Sequence, residues 1–407
     1  MTLVARSLGE RDFRLYFAGQ SVSFIGTWVQ QVALSWIAYR MTGSPLVLAA
    51  VTFGGQIPSL LLSPLGGILA DRISRRKILV ATQLIEMTAA AMLAVSAGIG
   101  ILSPAILFCA SLVVGVAVAF EMPARHAFLS AIVRDKSNLS NAIALNSVSF
   151  SAARLLGPAL GGLVLADFGD EACFVANALS YLPEIYTLLA VRTLKSDRAH
   201  AASNVAGGLE YLRGCAVVRW LLITVASASV ALSPFAVLLP MYARNVLGGD
   251  AVVLGALMGA AGYGAMVSGL LIAKRKSVLG IESNVIAACL IAGATAWILS
   301  WNTHYLAALA LMMVSGGCTV QIITSTHALI QSIVPNQVRG QIMAFYTMCY
   351  GGAVSVGSLA MGAMAESLGI QLMFVVASSV YFSTGLALLW MLDALRREIY
   401  PMLVEPK

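Results

Sequence analysis

The chain has 407 residues, 59% of them hydrophobic and only 11% charged, with a mean hydropathy of +0.87. That balance leaves too little polar surface for a water-soluble domain of this length. A net charge of +7 would suit a nucleic-acid binder, but Lys and Arg fall in alternate loops between long apolar runs. That pattern excludes nucleic acid as a partner and marks a polytopic membrane protein.

Twelve spans are predicted, each long enough to cross about 30 Å of hydrocarbon as a helix. They cover residues 13–39, 46–70, 78–101, 104–132, 141–166, 172–191, 219–247, 251–273, 283–301, 304–332, 340–367 and 370–394. No cleavable leader is read before span 1, since Arg6, Arg11 and Arg14 run directly into apolar sequence. Span 1 carries Trp28 and Trp36, aromatic candidates for contact with a substrate ring.

Span 2 runs into GGILADRISRRK, residues 66–77, a connection so short that spans 2 and 3 must stay close. Gly67 is expected to permit close helix contact there, and Asp71 to pair with a basic residue or cap a helix N-terminus. Span 3 holds Glu86, read as a structural residue of a peripheral helix. Span 4 holds Glu121 and Arg125, one helical turn apart, and then His126, read with His327 as structural.

Arg154, in span 5, is the sole charge between Ala142 and Ala166. A fixed charge there costs several kcal/mol unless it is paired or hydrated. Counted from the feet of their spans, Glu121 and Arg154 lie about 17 and 20 Å up, close to mid-bilayer. Glu121 is therefore the expected partner of Arg154, with Arg125 competing for the same carboxylate. A carboxylate so placed can carry a proton, which makes Glu121 the first proton-coupling candidate. Glu184, after Pro183 in span 6, is the second. Arg154 and Arg125 suit a substrate bearing carboxylate or catecholate groups. Just beyond Arg154 comes GPALGG, residues 157–162. Its small residues let a partner helix approach, and Pro158 removes one backbone hydrogen bond and allows a bend.

The longest polar stretch, residues 192–218, is expected to be a cytoplasmic linker between six-span bundles at 1–191 and 219–394, with a cytoplasmic tail at 395–407. Two matches support the division as an internal repeat. HAFLSAIV (126–133) recurs as HALIQSIV (327–334), and GPALGGLVLADFG (157–169) aligns with GSLAMGAMAESLG (357–369). Parallel halves imply a pseudo-twofold axis along the membrane normal and a ligand site between them. In the second half Ile322 and Thr326 stand where Glu121 and Arg125 stand in the first, so its spans are nearly neutral. Span 8 adds Tyr263 as a further aromatic candidate. All 25 Lys and Arg except Arg40, Arg154 and Arg244 fall on the side of the N-terminus, which puts both termini in the cytoplasm.

The six cysteines are dispersed, without metal-ligand spacing, and read as small buried residues of helices. No metal site and no cofactor is expected, and no GxxxxGK[ST] nucleotide-binding run occurs.

These motifs resemble the major facilitator superfamily over nearly the whole chain. The connection at 66–77 is similar to that superfamily's loop 2–3 signature at Gly67, Asp71, Arg72, Arg75, Arg76 and Lys77, with Ser74 in place of its second glycine. The second-half counterpart, GLLIAKRKS (269–277), has lost the acidic residue. GPALGG resembles the span-5 motif of the superfamily's exporters at Gly157, Pro158, Gly161 and Gly162; its counterpart GSLAMG (357–362) lacks the proline. RDFRLYFAGQSVSFIGTWVQQVALSWIAYRMTGSP (11–45), FEMPARHAFL (120–129) and GLEYLRGCAVVRW (208–220) look like the branch of enterobactin-type siderophore exporters and macrolide-efflux proteins. Many relatives carry an acidic residue where Thr27 stands here.

The resemblance implies an all-α fold of twelve transmembrane helices in two six-helix repeats, with the 66–77 loop as a gate latch. It implies a monomeric secondary transporter in the bacterial inner membrane, a proton antiporter exporting a small amphipathic or anionic compound such as a siderophore or hydrophobic drug. A lipid flippase or iron exporter of the same fold is the alternative, and a non-transporting receptor or scaffold the alternative of another class. No nucleophile and base pattern supports an enzyme.

Overall fold

The computed structural model describes residues 3–133, 135–191, 205–275 and 277–404, and every regular element among them is helical. α1 (Arg11–Thr42) stops at Gly43, whose left-handed conformation returns its N–H to the Tyr39 carbonyl. α2 (Pro45–Arg72) and α4 (Pro104–Ile132) both begin with a Ser-Pro pair. The hydroxyls of Ser44 and Ser103 accept the N–H of Val47 and Ile106, and the proline lacks a donor that the first turn would leave unused. α3 (Arg75–Gly98) lies between them in sequence, and α5 (Leu139–Ala190) turns at Gly169, where φ is 81°, into two spans.

α6 (Val205–Gly214) is a short amphipathic helix. α7 (Ala216–Val237) is followed by the single turn α8 (Leu239–Met241) and a π-helical turn at Tyr242–Val246. α9 (Ala251–Ala273), α10 (Ile281–Trp301) and α11 (Tyr305–Ile333) lead to α12 (Asn336–Trp390), which turns at Gly369 with φ 79°. Gly169 and Gly369 are corresponding positions of the sequence repeat. A left-handed φ is open to glycine at little cost, so the same residue makes the same bend twice.

Nine helices among the described residues are long and apolar enough to cross a membrane. Two of them, α5 and α12, each hold two spans. α1 has the length, but Gln30 and Gln31 dilute its hydropathy; with it the chain has the expected twelve. The last span ends at Trp390 and not at 394. α13 (Leu392–Val404) follows as a separate amphipathic helix burying Leu395 and Ile399. Arg396 Nε and the Tyr400 hydroxyl both donate to Glu282 Oε1, at 3.0 and 3.1 Å, which fixes this helix to the start of α10. Of the expected linker, residues 192–204 lie outside the described residues, and the next ten form α6.

By contact the chain forms two compact units, Met1–His200 with Ala243–Gly259, and Ala201–Tyr242 with Ala260–Lys407. In the first, α1 is gripped by both arms of α5. A Cβ at Gly19 or Gly26 would strike the second arm, at Pro183 and Thr187 or at Asn177 and Ser180. Gly157 and Gly161 of the first arm receive Trp28 and Val29. The opposite edge of that arm takes residues 251–255, with Gly162 against Ala251 and Gly255 against the Pro158 carbonyl. GPALGG is thus a close-packing motif on two sides.

Gly67 does not make the expected helix contact: a Cβ there would meet nothing within 4 Å. Gly66 makes it instead, pressed on the backbone of Ala119 and Phe120 in α4. One residue along a helix is a rotation of about 100°, enough to carry Gly67 off the α2–α4 seam. In the second unit, Gly357 packs on Val230 and Ser233 of α7, and Gly293 on Phe382 of α12.

Candidate functional site

The first unit encloses a cavity of about 620 Å³ walled by α1 to α4 and both arms of α5. Its lining is mostly apolar, with amides and hydroxyls of Gln30, Gln31, Gln56, Thr52, Asn146 and Ser151 set into it. Glu86, Glu121 and Arg125 lie on one wall and are almost fully buried.

The helix period explains how α3 reaches this wall. Leu79, Gln83, Glu86, Ala90 and Leu93 recur every three or four residues and are buried, so one face of the span turns inward. Glu86 is therefore not a peripheral structural residue, as its span suggested, but part of the cavity. Gln83 lies one turn before it and donates from Nε2 to Glu121 Oε1 at 3.0 Å.

Glu121 takes Arg125 as its partner, in contact through Nη2 one turn along α4. The expected pairing of Glu121 with Arg154 is not made. A neighbour on the same helix needs no interhelical alignment, whereas Arg154 has to be brought in by packing of α4 on α5. The Arg154 guanidinium instead lies over the Trp28 ring, 5.9 Å from its centre. Arg125 also reaches Glu184 Oε1 at 3.2 Å and stacks over Phe24 at 4.9 Å. Glu86 is within electrostatic reach of the same guanidinium, beside Tyr181. Three buried carboxylates thus share one arginine. Several atoms around them are buried without a hydrogen-bond partner: Tyr16 Oη, Gln20 Nε2, Gln83 Oε1 and Glu86 Oε1.

Of the other residues singled out in the sequence, His126 lines the cavity, whereas Arg154, Trp28, Trp36 and Glu184 are not part of its lining. Trp36 is buried within the bundle, and Tyr263 is exposed on the second unit. His327 packs edge-on to Tyr346 at 5.1 Å. The six cysteines are free, four of them buried.

The 66–77 connection ties helix ends together. Arg75 Nη1 donates to the Ala127 carbonyl near the end of α4, at 3.2 Å, and Arg76 donates to the Val191 carbonyl just past α5. Cations at these ends oppose the negative pole of each helix. Arg72 and Lys77 are exposed, and the side chain of Asp71 lies outside the described residues. A buried cluster that includes Phe13, Tyr16, Leu79, Phe128 and Leu188 packs this end of the unit.

Sequence reasoning missed Gln83, Gln30 and Asn177; Asn177 Nδ2 donates to Gln30 Oε1 at 2.8 Å, joining α1 to α5. The available signal was Thr82, Gln83 and Glu86 close together in an otherwise apolar span.

A model of the transmembrane secretion effector family matches residues 6–397. The chain is 23% identical over 362 residues to the staphyloferrin A transporter of Staphylococcus aureus, covering 88% of this chain and 90% of that protein. It is 23% identical over 378 residues to the multidrug efflux pump Tap of Mycolicibacterium fortuitum, covering 87% and 89%. A solved peptide transporter has the same fold, with a TM-score of 0.77 at 12% identity over 95% of both chains. The chain is a multi-pass membrane protein of the transmembrane secretion effector family within the major facilitator superfamily, a family of transporters and not of enzymes.

Proposed function

We propose that this protein is a proton-driven exporter of the bacterial inner membrane, working as a monomer with both termini in the cytoplasm. It moves a small amphipathic compound outward by alternating access, with siderophores and hydrophobic drugs as the substrate classes. The observation that carries this reading is Glu86, Glu121 and Arg125 at the wall of a drug-sized cavity, with Glu184 against the same arginine outside the lining.

One guanidinium balances one carboxylate. In a medium of low dielectric the remaining negative charge is expensive, and protons taken from water are the simplest way to remove it. When the site opens to the more acidic side the carboxylates load protons; when it opens to the other side they release them. Coupling follows if substrate occupies the cavity only in one of these states. The outward direction is supported by membership of a secretion effector family and by the similarity to the efflux pump Tap, and the basic loops support the orientation.

The test is flux in proteoliposomes carrying an acidic lumen. Protons leaving through an antiporter should concentrate substrate inside, severalfold above protein-free vesicles, and nigericin should abolish the difference. A catecholate siderophore, a macrolide and ethidium would be assayed in parallel. Uptake equal to protein-free vesicles for all three would refute the reading.

A further inference from the structure

The cavity of the first unit has two chemically different ends. Glu86, Glu121 and Arg125 form one, and carboxylates already engage that arginine. Three glutamines that the export reading does not use, Gln30 and Gln31 of α1 and Gln56 of α2, mark the other. α1 and α2 run antiparallel about the turn at residues 43–44. Gln31 lies twelve residues before Gly43 and Gln56 twelve after Ser44, so the two share one depth. Phe24, which covers Arg125, is seven residues from Gln31, and two helical turns set the ends about 10 Å apart.

The amides at this end are held in place or uncommitted. The Ser180 hydroxyl donates to Asn177 Oδ1 at 3.1 Å, which turns Asn177 Nδ2 toward Gln30 Oε1 at 2.8 Å and leaves Gln30 Nε2 as a donor. Among the described residues the Gln31 and Gln56 amides have no hydrogen-bond partner, and both are open to the cavity. Two hydroxyls stand with them. Thr52, one turn before Gln56, donates to the Leu48 carbonyl and keeps its lone pairs, and Ser111 of α4 packs at Gly55. None of these groups is ionisable.

An amide sets a donor beside an acceptor, and three of them require a ligand group that supplies both. A carboxylate or phosphate only accepts and an ammonium only donates, so either leaves half of the cluster unpaired in apolar surroundings. A hydroxyl does both, and two adjacent hydroxyls match an amide at each of its atoms. Between the two ends the lining is apolar, with Leu93, Val114 and Val118, and suits an uncharged body.

We propose that this end of the cavity binds the sugar head of a neutral glycosylated amphiphile, its vicinal hydroxyls hydrogen-bonded to Gln30, Gln31 and Gln56. The inference rests on the export reading and narrows its substrate class. It departs from the anionic compound that Arg154 and Arg125 suggested in the sequence.

Calorimetric titration of the purified full chain in lipid nanodiscs, free of sugar-headed detergent, tests this without any need for transport. Three neutral probes share one coumarin body: 4-methylumbelliferyl β-glucoside, the methyl ether that lacks the sugar, and an acetylglycyl amide in its place. Heats from empty discs are subtracted. The glucoside should bind saturably, about tenfold or more tighter than the ether or the amide. Gln31→Leu and Gln56→Leu should each weaken the glucoside about fivefold or more in proteins that keep the unaltered melting curve, with the ether unchanged. Ether binding as tight as the glucoside in the unaltered protein would overturn the proposal, whatever the variants do. Tighter binding of the amide would assign the cluster to peptide-like groups and overturn it too. So would unchanged glucoside affinity in a well-folded double variant. Glucoside binding without pH-driven flux would leave this inference standing and remove the export reading; pH-driven flux of the siderophore with no glucoside binding would do the reverse.

Discussion

Arg125 is a positive charge buried within a membrane span, and its neighbours explain how it is kept. A contact with Glu121, a second carboxylate 3.2 Å away and a ring at 4.9 Å replace the water it has lost. Removing one member of such a set leaves the other charge buried alone, which costs about 3–5 kcal/mol. Glu121→Gln and Arg125→Gln should each lower the thermal stability of the purified protein. The double variant should be more stable than the sum of the two losses, with a coupling energy of about 1–3 kcal/mol. Melting all four members of that cycle in one detergent measures it, and additive losses would mean the contact has no energetic weight. In proteoliposomes, Glu121→Gln should also lose pH-driven flux if this carboxylate takes part in coupling; retained flux would leave Glu86 and Glu184 as the coupling groups.

At the scale of the element, the small residues determine which helices touch. Gly66 and Gly67 are adjacent, yet one presses on α4 and the other faces open space. Gly66→Ala forces a methyl into the Ala119 backbone and should destabilise by about 1–3 kcal/mol, the ordinary cost of overpacking. Gly67→Ala adds no clash and gains the better helix former, so it should be neutral or stabilising by up to about 1 kcal/mol. Thermal shift on the two purified variants checks this, and a larger loss at Gly67 would place the seam on the other face. The same logic gives GPALGG its two edges, Gly157 and Gly161 toward α1, Gly162 toward α9. Gly169 and Gly369 act differently, through backbone conformation, since a side chain at φ near 80° is strained whatever space surrounds it.

On the scale of the whole molecule, the connection at 66–77 holds the ends of α4 and α5 to the start of α3 through Arg75 and Arg76. Asp71 lies in the same connection, and we propose that it latches the cytoplasmic face in the outward-facing state. Asp71→Asn should then insert normally but favour the inward-open state. Cysteines placed at the cytoplasmic ends of spans 2 and 11 should cross-link less in that variant by about half or more, with an unchanged yield removing the latch. Alternating access needs such a two-state element, and a ligand or proton can bias it only by binding the two states differently.

Twelve spans were legible because a hydrocarbon core about 30 Å thick imposes a length and a composition that any segment must meet. The repeat was legible because both halves solve the same bends with the same residues, Gly169 and Gly369 above all. Arg125 within one turn of Glu121 was also readable, since spacing along a helix is local. What needed the tertiary structure was every question of rotation and of partner. α3 turns Glu86 and Gln83 inward, Gly66 and not Gly67 meets α4, and Arg125 rather than Arg154 holds Glu121. In a span apolar on all sides, hydropathy has no direction, so the sequence alone could say that these polar residues lie in the membrane but not which face is buried. That choice was made by close packing of small residues between neighbouring helices.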